Sequence, residues 1–112
     1  YTYPLLFPLA PFLDVLVADP RDIGCRKVSA IASRGTKRDF IDLYEVCRRF
    51  GLAELLTLFA RKYAGSHYNR IHVLKSLTFF NDAEKDPMPH MLVPTSWEAV
   101  KTFFRRETLR FV

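Results

Sequence analysis

Lys27, Arg34, Lys37, Arg38, Asp39 and Asp42 bring the chain's most concentrated charge chemistry into one short stretch. Projected at about 100 degrees per residue, the helix expected around Lys27 places that lysine in the arc of Ile23, Ala30 and Ile31. Arg26, Ser29 and Ser33 take the opposite side, and Arg34 falls on the line of Lys27. In the next helix Asp39 shares the arc of Leu43, Val46 and Phe50, Asp42 lies near its edge, and Glu45 and Arg49 face away. A cation and an anion are thus expected at a helix–helix contact. Each costs several kcal/mol to desolvate, so such charges occur either paired with one another or aimed at a charged ligand. Arg34, Lys37 and Arg38 crowd the intervening turn, where backbone donors at a helix N-terminus beside arginines suit a triphosphate. The purely structural alternative is equally concrete. Thr36 followed by Asp39 resembles a capping box with Asp in place of Glu, and Lys27 then serves as its counter-ion. The spacing leaves both open.

The elements that must position these residues are mostly helices. Tyr3–Pro8 and Asp14–Ala18 read as short extended segments, the second a candidate strand, since prolines prevent a helix through the first. Asp19 as N-cap, Pro20 at the first helical position and Asp22 in the first turn open the Lys27 helix, which Gly35 ends. The second helix runs from about Lys37 to Phe50 and stops at Gly51, read as a left-handed cap. A third carries Leu52, Leu55, Leu56, Phe59 and Tyr63 at helical spacing. A fourth spans about Asn69 to Phe80, with Ile71, Leu74, Leu77 and Thr78 as its buried stripe. Between Asn81 and Thr95 the pattern breaks into acids and prolines, with Met88, Met91 and Leu92 expected to pack. The last helix opens on Thr95-Ser96-Trp97-Glu98, a capping box, and sets Trp97, Val100, Phe103 and Phe104 against a basic face. The expected fold is mainly α, a bundle of about five helices over 19–112 behind an extended or β leading segment over 1–18.

A net charge of +5 and an isoelectric point near 9.5 favour anionic partners. Arg48 and Arg49 read as partners of a helix C-terminus, and Lys101, Arg105, Arg106 and Arg110 line the last helix. Cys25 and Cys47 fall near apolar arcs and read as reduced core residues. His67, His72 and His90 are scattered, so no metal is assigned to them. No signal peptide and no apolar run near the roughly 20 residues of a membrane helix is visible, and the expectation is a soluble, cytoplasmic protein without membrane contact.

The run from Asp22 through Lys27-Val28-Ser29-Ala30-Ile31-Ala32-Ser33-Arg34 to Lys37-Arg38-Asp39-Phe40-Ile41-Asp42-Leu43-Tyr44 resembles the signature K-x-x-A-x-x-x-R followed by K-R-D-F-x-D-L-Y of AbiEii/AbiGii-type nucleotidyltransferase toxins. The later run Val73–Glu84, then Asp86-Pro87-Met88-Pro89, Met91-Leu92 and Trp97-Glu98-Ala99-Val100-Lys101, resembles the C-terminal part of the same family. The resemblance implies transfer of a nucleoside monophosphate from an NTP to RNA, tRNA included, with magnesium as cofactor. It places the family's lysine on Lys27 and its arginine–aspartate step on Arg38–Asp39. Lys27, Asp39 and Asp42 are then the catalytic candidates, and Arg34, Lys37 and Arg38 the nucleotide- or RNA-binding ones. It also implies a possible antitoxin partner.

One part of the family pattern is missing. Catalytic members carry Gly-Ser followed by Asp-x-Asp or Asp-x-Glu, whose carboxylates hold magnesium against the triphosphate. The Gly65-Ser66 step lacks such a pair, and Asp19 and Asp22 have the wrong spacing for adjacent inward positions of a strand. The chain begins at Tyr1, which suits a truncated product, a fragment or an excised C-terminal part. Two functions follow as expectations: the C-terminal helical portion of a nucleotidyltransferase, inactive alone, or a non-catalytic helical module that binds a protein partner or RNA. In the first case the leading segment lacks its sheet partners, and its apolar edge invites homodimerisation.

Overall fold

A computed structural model describes residues 3–13, 15–91 and 94–111. A two-stranded antiparallel hairpin leads, formed by β1 (Ala10–Phe12) and β2 (Val15–Val17) with Phe12 opposite Val15. The helices follow: α1 (Pro20–Arg34), α2 (Lys37–Phe50), α3 (Leu52–Lys62), α4 (Arg70–Ser76), the single turn α5 (Asn81–Glu84) and α6 (Trp97–Thr108), closed by a 3-10 turn at Leu109–Phe111. The mainly helical fold with a short β lead is as the sequence predicts. No helix among the described residues is long and apolar enough to cross a membrane.

Helix α1 is the centre of the bundle and packs against α2, α3 and α4, while α2 reaches α5 and α6. Its start follows the sequence: the Asp19 carboxylate accepts from the Arg21 N–H at 2.8 Å, and Pro20 occupies the first turn. Gly24 lets α3 approach, because a Cβ there would sit 2.6 Å from Leu55 Cδ1 and 3.0 Å from Val46 Cγ1. The core runs through Val28, Ile41, Leu43, Leu52, Leu55 and Leu77. Phe40 is its aromatic hub, meeting Phe80, Phe104 and Trp97 edge-to-face at 5.1, 5.8 and 6.0 Å between centroids. Cys25 and Cys47 are buried free thiols. Burial pushes their pKa values up to about 11 and about 12, with the Asp22 charge adding at Cys25 and the Glu107 charge at Cys47.

Several local expectations need correction. Gly51 has φ 87° and ψ 146°, so it joins α2 to α3 in an extended positive-φ conformation open to glycine and not in the left-handed helical cap. Helix α4 stops at Ser76, where the Ser76 and Thr78 hydroxyls bond the carbonyls of His72 and Lys75, an alternative to continued helix. Its buried stripe is accordingly Val73, Leu74 and Leu77, while Ile71 and Thr78 lie exposed. The segment from Asn81 is not wholly irregular: α5 buries Ala83. At α6 the N-cap is Ser96, which accepts from the Ala99 N–H at 3.2 Å, and Glu98 instead meets Lys101 at 3.1 Å. Lys101 therefore leaves the basic face and is buried, with a second ion pair to Glu84 at 2.9 Å. Met91 packs against the core, Met88 is exposed, and the expectation for Leu92 lies outside the described residues.

The hairpin extends beyond the predicted strand, whose Asp14 lies outside the described residues, because Ala10–Phe12 pairs with it. All six of its strand residues are exposed, Phe12 and Leu16 by 64% and 63%.

Candidate functional site

The Lys27 ammonium lies 3.2 Å from Asp39 Oδ1 and 3.2 Å from Asp42 Oδ2. The second oxygen of Asp39 accepts from the Thr36 N–H at 3.2 Å, while the Thr36 hydroxyl accepts from the Asp39 N–H at 3.1 Å. The capping box and the lysine pairing therefore coexist on one carboxylate. Asp42 is shared in the same way, since Arg38 Nε approaches its Oδ2 at 3.7 Å from one helical turn away. These side chains border an open depression lined by Ile23, Arg26, Lys27, Ala30, Asp39 and Asp42.

The depth of this cluster differs from the sequence expectation. Side-chain exposures of 26%, 15% and 29% for Lys27, Asp39 and Asp42 place the charges on the rim of the α1–α2 contact and leave them reachable by solutes. The fully buried face of α1 is rotated from Lys27, running through Asp22, Cys25, Val28 and Ile31. Partial burial would lower the Lys27 pKa, but hydrogen bonds to Asp39 and Asp42 outweigh it and hold the lysine above its ordinary value. The site thus presents a permanent ammonium fixed by two carboxylates. Two of its three donors are engaged among the described residues, and the third can meet an incoming oxygen.

The basic turn does not act as one group. Arg38 stays beside the depression through Asp42. Arg34 is exposed and lines a separate cavity between α1 and α4, with His72, Lys75 and Phe79. Lys37 is turned into the protein, contrary to its assignment to an anion-binding turn. Its backbone N–H donates to Asp86 Oδ2 at 2.9 Å, and its ammonium stands 5.1 Å from the Trp97 ring centroid. Successive helical residues diverge by about 100 degrees, and here Lys37 turns inward while Arg38 stays beside Asp42.

Sequence reasoning missed a second lysine–aspartate pair. Asp22 Oδ1 and Lys62 Nζ meet at 3.0 Å with both side chains completely buried. Asp22 also accepts from the N–H groups of Leu6 and Phe7 at 3.0 and 2.9 Å, and Lys62 donates to the Pro4 carbonyl at 3.3 Å. Burial would raise the Asp22 pKa, but the Leu6 amide, the Lys62 ammonium and the Phe7 amide together hold it below the ordinary carboxylate value. Asp22 had a sufficient local explanation as a first-turn acid, which concealed its long-range role. The available signal was Lys62, three residues beyond Phe59 and seven beyond Leu55 on the apolar side of α3.

A magnesium ion of the kind the resemblance implies is held by one or two carboxylates together with water and substrate phosphates. Asp39 and Asp42 both already bind the Lys27 ammonium, and among the described residues no three His, Cys, Asp or Glu side chains converge.

Comparison with known proteins places the chain in a family. The family described as nucleotidyl transferase AbiEii toxin, type IV TA system, matches residues 1–110. An uncharacterized protein of Aquifex aeolicus (strain VF5) is 36% identical over 116 residues, an alignment covering 100% of this chain and 54% of that protein. The chain therefore spans about half the length of that relative. No solved structure matches. With nearly its whole length matched, the chain belongs to the AbiEii nucleotidyl transferase toxin family.

Proposed function

We propose that this chain forms the helical side of a nucleotidyltransferase site that moves a nucleoside monophosphate from an NTP to an RNA acceptor, tRNA among the candidates. In this reaction an acceptor hydroxyl attacks the α-phosphorus, the bond to the β-phosphate oxygen breaks, and pyrophosphate leaves. Lys27 contributes a positioned positive charge to phosphoryl oxygens, where transition-state charge accumulates. Asp39 orients Lys27 while closing the first turn of α2. Asp42 holds Lys27 from the other side and keeps Arg38 close by. The observation that supports this reading best is an ammonium fixed by two carboxylates on the rim of an open depression.

Magnesium and its Asp-x-Asp ligands would come from polypeptide outside these residues, which is consistent with a relative about twice as long. Alone, the chain is expected to be inactive. An antitoxin protein is the partner implied by a type IV toxin–antitoxin family. A second reading, a non-catalytic module, draws on the exposed apolar hairpin, which could also join two copies of the chain.

The deciding experiment is Lys27→Ala in the intact protein, assayed by transfer of label from α-labelled NTP to RNA. Transfer should fall at least about 100-fold, the scale of a lost transition-state donor, with the melting temperature within a few degrees of wild type. Unchanged transfer would sink the proposal. A collapse of melting temperature would assign Lys27 to stability instead.

A further inference from the structure

The cavity between α1 and α4 is separate from the Lys27 depression, yet the same helix lines both. Ile31, Ala32, Arg34 and Gly35 come from the end of α1, His72 and Lys75 from α4, and Phe79 and Asp82 from the chain that follows. Two of its features have no part in the fold's stability as described. Phe79 is 56% exposed although it lies one residue before the buried Phe80. Arg34 and Lys75 are both exposed on the lining. His72 is held in place by Nε2 at 2.8 Å from the Ala32 carbonyl, which ties α4 to the end of α1 and fixes the cavity wall.

An aromatic face open to solvent beside two cations is the combination that binds single-stranded nucleic acid: a base stacks on the ring and its phosphate meets the cations. Asp82 is the one carboxylate in the lining. It would repel a bare phosphate but accepts readily from a base amino group, so the cavity suits a nucleotide presented base-first. Arg34 follows Lys27 by seven residues, about 10 Å along α1 and nearly on the same line. That separation is about three stacked nucleotides at roughly 3.4 Å each. Arg26, exposed on the same helix, adds a cation beside the Lys27 depression.

We propose that the α1–α4 cavity is a subsite for the single-stranded end of the RNA acceptor, with a base stacked on Phe79 and its phosphate held by Arg34 and Lys75, so that the strand runs along α1 toward Lys27. This inference rests on the nucleotidyltransferase reading for the identity of the strand, but its test does not depend on turnover.

Binding of a fluorescein-labelled single-stranded RNA hexamer to the intact protein, followed by anisotropy, tests it. Phe79→Ala should weaken binding about tenfold or more, the usual size of one lost stacking partner. Phe79→Trp should retain binding, and its added indole fluorescence should be quenched by RNA beyond the response of the wild type, which contains Trp97. Arg34→Gln and Lys75→Gln should each reduce the slope of log affinity against log salt by about 0.7, one phosphate contact on a single strand. Equal binding by wild type and Phe79→Ala overturns the proposal, as does no binding by the wild type. Full displacement by ATP at equal nucleotide concentration would make the cavity a mononucleotide site and overturn it. Displacement by an equally charged glutamate peptide would reduce it to a polyanion patch and also overturn it. If Phe79 proves essential for binding while Lys27→Ala leaves transfer intact, the catalytic reading fails alone. The reverse result removes only the RNA subsite.

Discussion

Two lysine–aspartate centres stand on α1 about one and a half turns apart, and burial gives them opposite characters. Asp22 and Lys62 are sealed from solvent and share their remaining polar capacity with the backbone of Pro4, Leu6 and Phe7. Nothing from solution can approach them without opening the bundle. Lys27, Asp39 and Asp42 use the same functional groups at 3.2 Å, but each keeps between 15% and 29% of its side-chain surface in contact with water. A buried pair that is fully hydrogen-bonded fixes one arrangement of chain segments, whereas a rim pair contributes little to stability and leaves its cation available. Identical chemistry thus separates into a fastening and a candidate site according to depth alone.

Removing one partner of the sealed pair should break the comparison most sharply. Lys62→Met leaves an uncompensated carboxylate in the interior and should cost about 3 to 5 kcal/mol in urea unfolding. A loss comparable with that of a rim variant would show that the two centres are energetically alike. The acid limb of stability provides a second measurement. Asp22 has a folded pKa below its unfolded value, so its stabilisation is present above the unfolded carboxylate pKa of about 3.9 and is lost as pH falls through the folded value. Thermal melts of Asp22→Asn between neutral and strongly acid pH should therefore show a flatter acid decline than wild type. The smallest effect belongs to the rim. Asp39→Ala removes one side of the capping box and one anchor of Lys27, and should cost about 1 kcal/mol in the same urea assay.

The legible part of the molecule was that in which local and long-range demands coincide. Thr36–Asp39 could be read because a helix start writes its donors and acceptors within three residues, and the projection of Lys27 brought it to the same contact. The helices around Val28, Leu43, Leu55 and Val100 were legible because their apolar spacing is also their packing. Projection gives direction around a helix but not depth, which depends on what lies outside it. Lys37, Lys62 and Lys101 all carry charges that composition assigns to the surface, yet each is buried because a partner from distant sequence covers it: Asp86 and Trp97, Asp22, and Glu84. The α1–α4 cavity was invisible for the same reason, since its lining joins the end of α1 to α4 and the chain after it, segments far apart in sequence.

The N-terminal hairpin leaves the helical body between two attachments, both on the opening turn of α1. Leu6 and Phe7 are tied to Asp22, and the returning strand runs almost directly into the Asp19 cap. Lys27 follows Asp22 by five residues, about 7.5 Å along the same rod. A polypeptide seated on that apolar ribbon would consequently sit at a set bearing and range from the Lys27 ammonium, as a workpiece sits in a jig. A slip of a single residue where the leading segment meets the Asp22 carboxylate would swing the ribbon out of true with that ammonium.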